Sequence, residues 1–148
     1  MQSQFGTAAP SLGVRLQARP ESAFLLRQRL SLWLDELGAG SDDVFAVSLA
    51  VTEAFANAVE HPHAPTRSVV EVDGSLVDHT VTVTVRDSGS WGAERKRVEG
   101  GHGLRLMRHF MDSVDIKTRS SGTSITLRRH LQDVAARAPR DGVSASRH

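Results

Sequence analysis

The run "HTVTVTVRD", residues 79–87, constrains the fold most, because Val81, Val83 and Val85 alternate without a break against Thr80, Thr82 and Thr84. A period of two puts the three valines on one side of a β-strand and the three threonines on the other. The valine side must be covered by another apolar layer, while the threonine side is free to meet water. Asp87 keeps the valine parity, so a carboxylate leaves the strand end on the covered side, where it needs hydrogen-bond donors. The preceding run, "RSVVEVDGSLV", is also β-rich, and a turn near Asp78 makes the two an antiparallel pair.

Two segments can supply the cover. "ESAFLLRQRLSLWLDELG" places Leu26, Leu30, Trp33, Leu34 and Leu37 on one helical face, opened by Pro20 and Glu21 and closed by Gly38. "DDVFAVSLAVTEAFANAVEH" repeats Val44, Val47, Val51, Ala54, Phe55 and Ala58 at helical spacing, with Ser41, Asp42 and Asp43 as its N-terminal cap and Pro62 ending it at His61. Ahead of them, "VRLQARP" alternates Val14, Leu16 and Ala18 with polar residues, as a half-buried strand ended by Pro20. Beyond an irregular stretch, Leu104, Met107 and Met111 mark a short helix, and "SVDIKTRSSGTSITLRRH" reads as a hairpin turning at Ser120 to Gly122. The order β α α β β (loop) α β β predicts an α/β two-layer sandwich, with a mixed, mostly antiparallel sheet and helices on one face. One domain is expected over residues 13–130, between flexible tails at 1–12 and 131–148.

Composition excludes several function classes. Eighteen Lys+Arg against seventeen Asp+Glu leave no basic field for nucleic acid or an anionic membrane. With no cysteine there is no disulfide, thiol nucleophile or thiolate zinc site. No apolar stretch approaches the roughly 20 residues of a membrane span, and "MQSQFGTAAPSLG" lacks the pattern of a signal peptide, so a cytoplasmic protein is expected.

The chemistry-bearing residues fall in four clusters at element ends. Glu53, Asn57 and His61 are spaced by four and form a polar stripe on an otherwise buried helix. Asp87 and Gly89 follow the strand in "RDSGSW". Gly101 and Gly103 in "GGHGL" precede the short helix, where open backbone amides suit a phosphate. Thr123 shares its strand face with Ile125 and Leu127 and points inward. Taken singly, each has a plain structural explanation as a turn, a loop or a solvent edge. His61 and His63 lack a third ligand at suitable spacing, which argues against a metal site of their own. Neither Lys96 nor Lys117 completes a GxxxxGK[ST] loop, which excludes a P-loop.

Together, in the order Glu-x-x-x-Asn, Asp-x-Gly, Gly-x-Gly-Leu and Gly-Thr, the clusters resemble the motifs of the GHKL ATPase superfamily. Within it, "AVTEAFANAVEH", "GGHGLRLMRHFMDSVDI" and "GTSITLRR" resemble the bacterial anti-sigma-factor serine kinases, over residues 12–130. The resemblance implies the Bergerat fold, with ATP or ADP and Mg²⁺ held between helices and sheet. Asp87 would accept from the adenine amine beside Gly89, with Thr123 assisting. Asn57 would offer its amide oxygen to Mg²⁺, and Gly101, Gly103 and Leu104 would meet the phosphates. Glu53 would take the proton from an attacking hydroxyl, while His61 matches a family position of less definite role. Sensor histidine-kinase domains carry Asn where Glu53 stands, so a protein-serine kinase fits better. Its implied partners are a sigma factor, a STAS-domain anti-sigma antagonist and a second copy of the chain. The short connection from Asp87 to Gly103, with Trp91 at a place where glycine is common, keeps a second class open: a nucleotide-gated binding module that sequesters a partner without phosphotransfer.

Overall fold

The structure, a computed structural model, describes residues 8–59, 69–87 and 102–132. Its elements are β1 (Leu12–Gln17), α1 (Ser22–Leu37), α2 (Ser41–Val59), β2 (Val69–Val77), β3 (Thr80–Asp87), α3 (His102–Phe110), β4 (Ser113–Arg119) and β5 (Gly122–His130). The strands form one five-stranded sheet in the order β1-β2-β3-β5-β4. Every pairing in it is antiparallel. This is the two-layer sandwich expected from the element order.

Alternation decides which face is covered. Val70 and Val72 on β2, Val81, Val83 and Val85 on β3, and Ile125 and Leu127 on β5 are all buried. Full burial of such a side chain contributes about 1.5–3 kcal/mol. The opposite face carries Arg15, Glu71, Asp73, Arg86, Asp115 and Arg128, which pair across strands: Arg15 with Glu71 at 3.5 Å, Arg86 with Glu71 at 3.8 Å and with Asp73, and Arg128 with Asp115 at 3.2 Å. These side chains are about half exposed, so each pair adds at most about 1 kcal/mol. Their main effect is to keep that face wetted.

The buried face of α1 is Leu26, Leu30, Trp33, Leu34 and Leu37, the set its periodicity predicts. Gly38, at φ 84°, ends the helix: its N–H donates to the Asp35 carbonyl and that of Ala39 to Leu34, both at 3.0 Å. A left-handed residue at this position satisfies carbonyls that would otherwise be orphaned. The β2–β3 hairpin turns in two residues, Asp78 and His79, at φ 52° and 66°, the geometry that matches the right-handed twist of the flanking strands.

Glu21 stands at the N-cap of α1, as the sequence predicts. Two local expectations need correction. Strand β1 begins at Leu12, because Leu12 extends the inward alternation of Val14 and Leu16, and the Pro10 carbonyl just before it accepts from Trp33 Nε1 at 2.8 Å. Asp43 does not serve as a helix cap. It is 2% exposed and accepts from Arg129 Nε and the Gln132 backbone N–H, each at 2.9 Å. Buried charge needs a charged partner more than a helix end needs a second acidic residue.

Trp33 also fixes a glycine. A Cβ placed on Gly74 would lie 2.6 Å from Trp33 Cη2, so the indole packs directly on the β2 backbone. Because the ring is itself buried, Gly74→Ala is expected to destabilise the protein by about 1–3 kcal/mol. Urea unfolding checks this; unchanged or raised stability would show that the indole has room to move.

Candidate functional site

The candidate side chains form two groups, one where α2 meets α3 and one on the sheet. Glu53 and Asn57 lie one turn apart near the C-terminal end of α2, on a helix whose other positions at this level, Ala54, Phe55 and Ala58, are buried. Gly103, in the first turn of α3, faces both. A Cβ built there would be 2.8 Å from Glu53 Oε1, 3.5 Å from Asn57 Nδ2 and 3.7 Å from Asn57 Oδ1. The glycine is thus required by proximity: any side chain would displace the carboxylate.

Two buried polar side-chain atoms in this stretch of α2, Thr52 Oγ1 and Asn57 Nδ2, have no hydrogen-bond partner among the described residues. An unmet buried amide group costs about 1–3 kcal/mol, so one kept at this place suits a polar ligand. At the adjoining start of α3, the first backbone N–H groups have no intrahelical acceptor and carry the positive end of the helix dipole. Leu104, in the same first turn, turns its side chain inward and is 7% exposed.

A second group lies on the sheet. Asp87 and Thr123 are direct cross-strand partners at the adjacent ends of β3 and β5. Both follow the inward parity, and Thr123 is 4% exposed. They line a depression of about 460 Å³ together with Arg119, Ser121, Gly122 and Ser124 from the β4–β5 hairpin and Arg15, Glu71 and Arg86 from the open face. Glu53 and Asn57 do not line it.

The two groups lie at the same end of the molecule. Asp43, at the start of α2, is bonded to Arg129 near the end of β5, and α2 packs on β3 and β5. From there α2 rises about 21 Å to Asn57, and β5 runs back about 20 Å to Thr123. The amide therefore comes level with the Asp87–Thr123 pair. Gly89, Gly101 and His61, with Trp91 and the rest of the connection from Asp87, lie outside the described residues.

Sequence reasoning missed the Asp43–Arg129 contact and the presence of Arg119 and Ser121 beside Asp87. The first left a trace: Arg129 has the inward parity of Thr123, Ile125 and Leu127, and an arginine aimed into a core needs an acid.

A five-stranded antiparallel sheet with helices packed on one face is a two-layer α/β sandwich, the architecture of a class of ATPase domain. Residues 16–129 match the family described as the histidine kinase-like ATPase domain. The chain belongs to that family. Among curated relatives, it is 29% identical to an anti-sigma F factor of Heyndrickxia coagulans, over 80% of this chain and 90% of that protein. It is 28% identical to the serine-protein kinase RsbW of Bacillus velezensis, over 84% of this chain and 88% of the relative. Among solved structures, the crystal structure of the RsbU and RsbW domains of Rv1364c from Mycobacterium tuberculosis superposes with a TM-score of 0.70 at 30% identity. It covers 82% of this chain, which spans 32% of that longer one.

Gly103→Ala separates stability from function. Alanine is the better helix former by about 0.5–1 kcal/mol, and Glu53 has a flexible end that can swing aside. The variant should unfold at the same or higher temperature while binding ATP at least about tenfold more weakly, because misplaced site groups lose binding rapidly. Calorimetry on one preparation measures both; unchanged affinity would mean that the close approach has no role in binding.

Proposed function

We propose that this protein is an ATP-dependent anti-sigma regulator that sequesters a sigma factor and, with Mg-ATP, phosphorylates a serine of a STAS-domain antagonist. The observation that carries this reading is the packing of Glu53 and Asn57 against Gly103, which puts a carboxylate and an amide beside the first turn of α3. The relatives named anti-sigma F factor and serine-protein kinase RsbW support the regulatory half.

The chain's residues then divide the work. Asp87, a pure acceptor when ionised, takes the hydrogen bond of the adenine amine, with Gly89 allowing close approach of the base and Thr123 completing the pocket floor. The amides of Gly101 and Gly103 and of the first turn of α3, including Leu104, hold phosphate oxygens. Glu53 accepts the proton of the substrate serine as its oxygen bonds to the γ-phosphorus and the bond to the ADP oxygen breaks.

Magnesium fits this donor set as a partner of the nucleotide. Asn57 offers one hard oxygen, and Mg²⁺ commonly takes one or two protein oxygens and completes its octahedron with phosphate and water. Among the described residues no group of three or more His, Asp or Glu could hold a metal by itself. Bound there, the ion neutralises charge on the transferring phosphate. His61 follows Asn57 by four positions in the sequence. A homodimer would present two such sites, with sigma factor and antagonist competing for one surface. No described helix is long and apolar enough to cross a membrane.

Incubation with Mg-ATP and STAS-domain proteins of the same genome, read by phosphoserine mass spectrometry, tests this. Wild type should transfer, and Glu53→Gln should lose about 10²–10⁴-fold in rate with ATP affinity little changed, as removal of a general base predicts. Asp87→Ala should lose ATP binding itself. Tight ATP binding with no transfer to any candidate would instead identify a nucleotide-gated binder. No ATP-dependent rise in melting temperature would refute the nucleotide reading.

A further inference from the structure

The polar residues of the core include one set far from the nucleotide groups. Arg129 reaches inward from β5, with 20% of its side chain exposed, and its guanidinium is shared: Nε donates to Asp43 Oδ1 at 2.9 Å and an Nη to the carbonyl of Phe110 at 2.6 Å. Asp43 lies in the first turn of α2 and Phe110 is the last residue of α3. The second Asp43 oxygen takes the Gln132 N–H at 2.9 Å, so the carboxylate is held from both sides. Phe45 on α2 and Phe110 on α3 add an edge-to-face ring contact, with centroids 5.6 Å apart.

The two helices are therefore antiparallel arms joined at one end. Following α2 from Asp43 leads to Glu53 and Asn57, and following α3 back from Phe110 leads, over about 10 Å, to Gly103. At that far end the arms approach so closely that a methyl group on Gly103 would displace the Glu53 carboxylate. Just past α3, Asp112 is tied to β5, its N–H to the Arg128 carbonyl and its carboxylate to the His130 N–H, each at 2.7 Å. Those bonds anchor the chain to the sheet and do not reach α2. Arg129 bonds both helices.

We propose that Arg129, through Asp43 and the Phe110 carbonyl, is a positioning residue that sets the spacing of α2 and α3 and thereby holds Gly103 against Glu53 and Asn57 at the nucleotide end. A carbonyl at a helix C-terminus carries the negative end of the dipole, so a guanidinium there is held firmly. A rigid nine-residue helix transmits that constraint along its length. Its consequence for affinity rests on the nucleotide reading above; the positional claim does not.

The test uses the full chain in two measurements, hydrogen exchange of amides 102–110 without nucleotide and the dissociation constant for Mg-ATP. The informative variant is the double substitution Asp43→Leu with Arg129→Met. Removing both buried charges together avoids leaving one unpaired, and such replacements often keep or raise stability. The clamp predicts a folded protein whose α3 amides exchange at least about tenfold faster and which binds Mg-ATP about tenfold more weakly, since displacing positioning groups by about 1 Å costs up to about a hundredfold. Arg129→Lys, which keeps the charge for Asp43 but not the two-armed fork, should fall between wild type and the double variant; it carries the comparison should the double variant not fold.

Leu30→Ala in α1, a purely apolar loss, should lower the melting temperature while leaving α3 exchange and ATP affinity unchanged. Wild-type α3 exchange in a folded double variant or in Arg129→Lys would overturn the proposal, as would effects from Leu30→Ala that match those of the clamp variants. If wild type fails to bind Mg-ATP, the nucleotide reading falls, while the exchange comparison still decides whether Arg129 positions α3.

Discussion

The covered face of β3 and β5 is apolar along its middle and polar at both ends, and the rest of the molecule is arranged around that pattern. Val81, Val83, Val85, Ile125 and Leu127 form the middle, with Arg129 beyond them at one end and Asp87 and Thr123 at the other. Helix α2 repeats the pattern, with Asp43 at its start, Val47, Ala50, Val51 and Ala54 along its length, and Glu53 and Asn57 towards its end. A strand slip of one residue would turn every buried valine outward, so the apolar middle fixes the register. The buried Asp43–Arg129 pair fixes how far α2 can slide along it, because neither charge tolerates burial alone.

That arrangement also accounts for a polar stripe on a core helix. Glu53 and Asn57 are polar on a helix whose neighbouring positions are buried, and Asn57 Nδ2 has no partner among the described residues, an arrangement that costs stability by itself. Polar groups retained against local stability are expected where a ligand supplies the missing partner. Gly103 obeys the same logic: it weakens α3 as a helix and is the residue that lets the carboxylate and the first turn of α3 share one space.

Much of this was legible in the sequence because periodicity reports on burial. The α1 face from Leu26 to Leu37, a turn near Asp78 and the inward parity of Asp87 and Thr123 follow from spacing alone. Contacts across long separations were not. Asp43 meets Arg129 across 86 positions, and local chemistry at a helix start favours reading an Asp as a cap. Trp33 on Gly74 and the insertion of β5 between β3 and β4 are likewise products of tertiary packing that no local pattern encodes. The approach of Gly103 to Glu53 came through the order of the motifs rather than through any spacing between them. His61, Gly89 and Gly101 lie outside the described residues, so their expected roles rest on that order.

The central claim is that the helix group and the sheet group serve one nucleotide. Amide NMR during titration with Mg-ATP tests it most directly, following the backbone signals of Gly103 and Asn57 together with those of Asp87 and Thr123. A single shared site requires all four to shift along one saturation curve with a common dissociation constant. Movement of one pair without the other, or saturation at clearly different concentrations, would separate the two groups and contradict it.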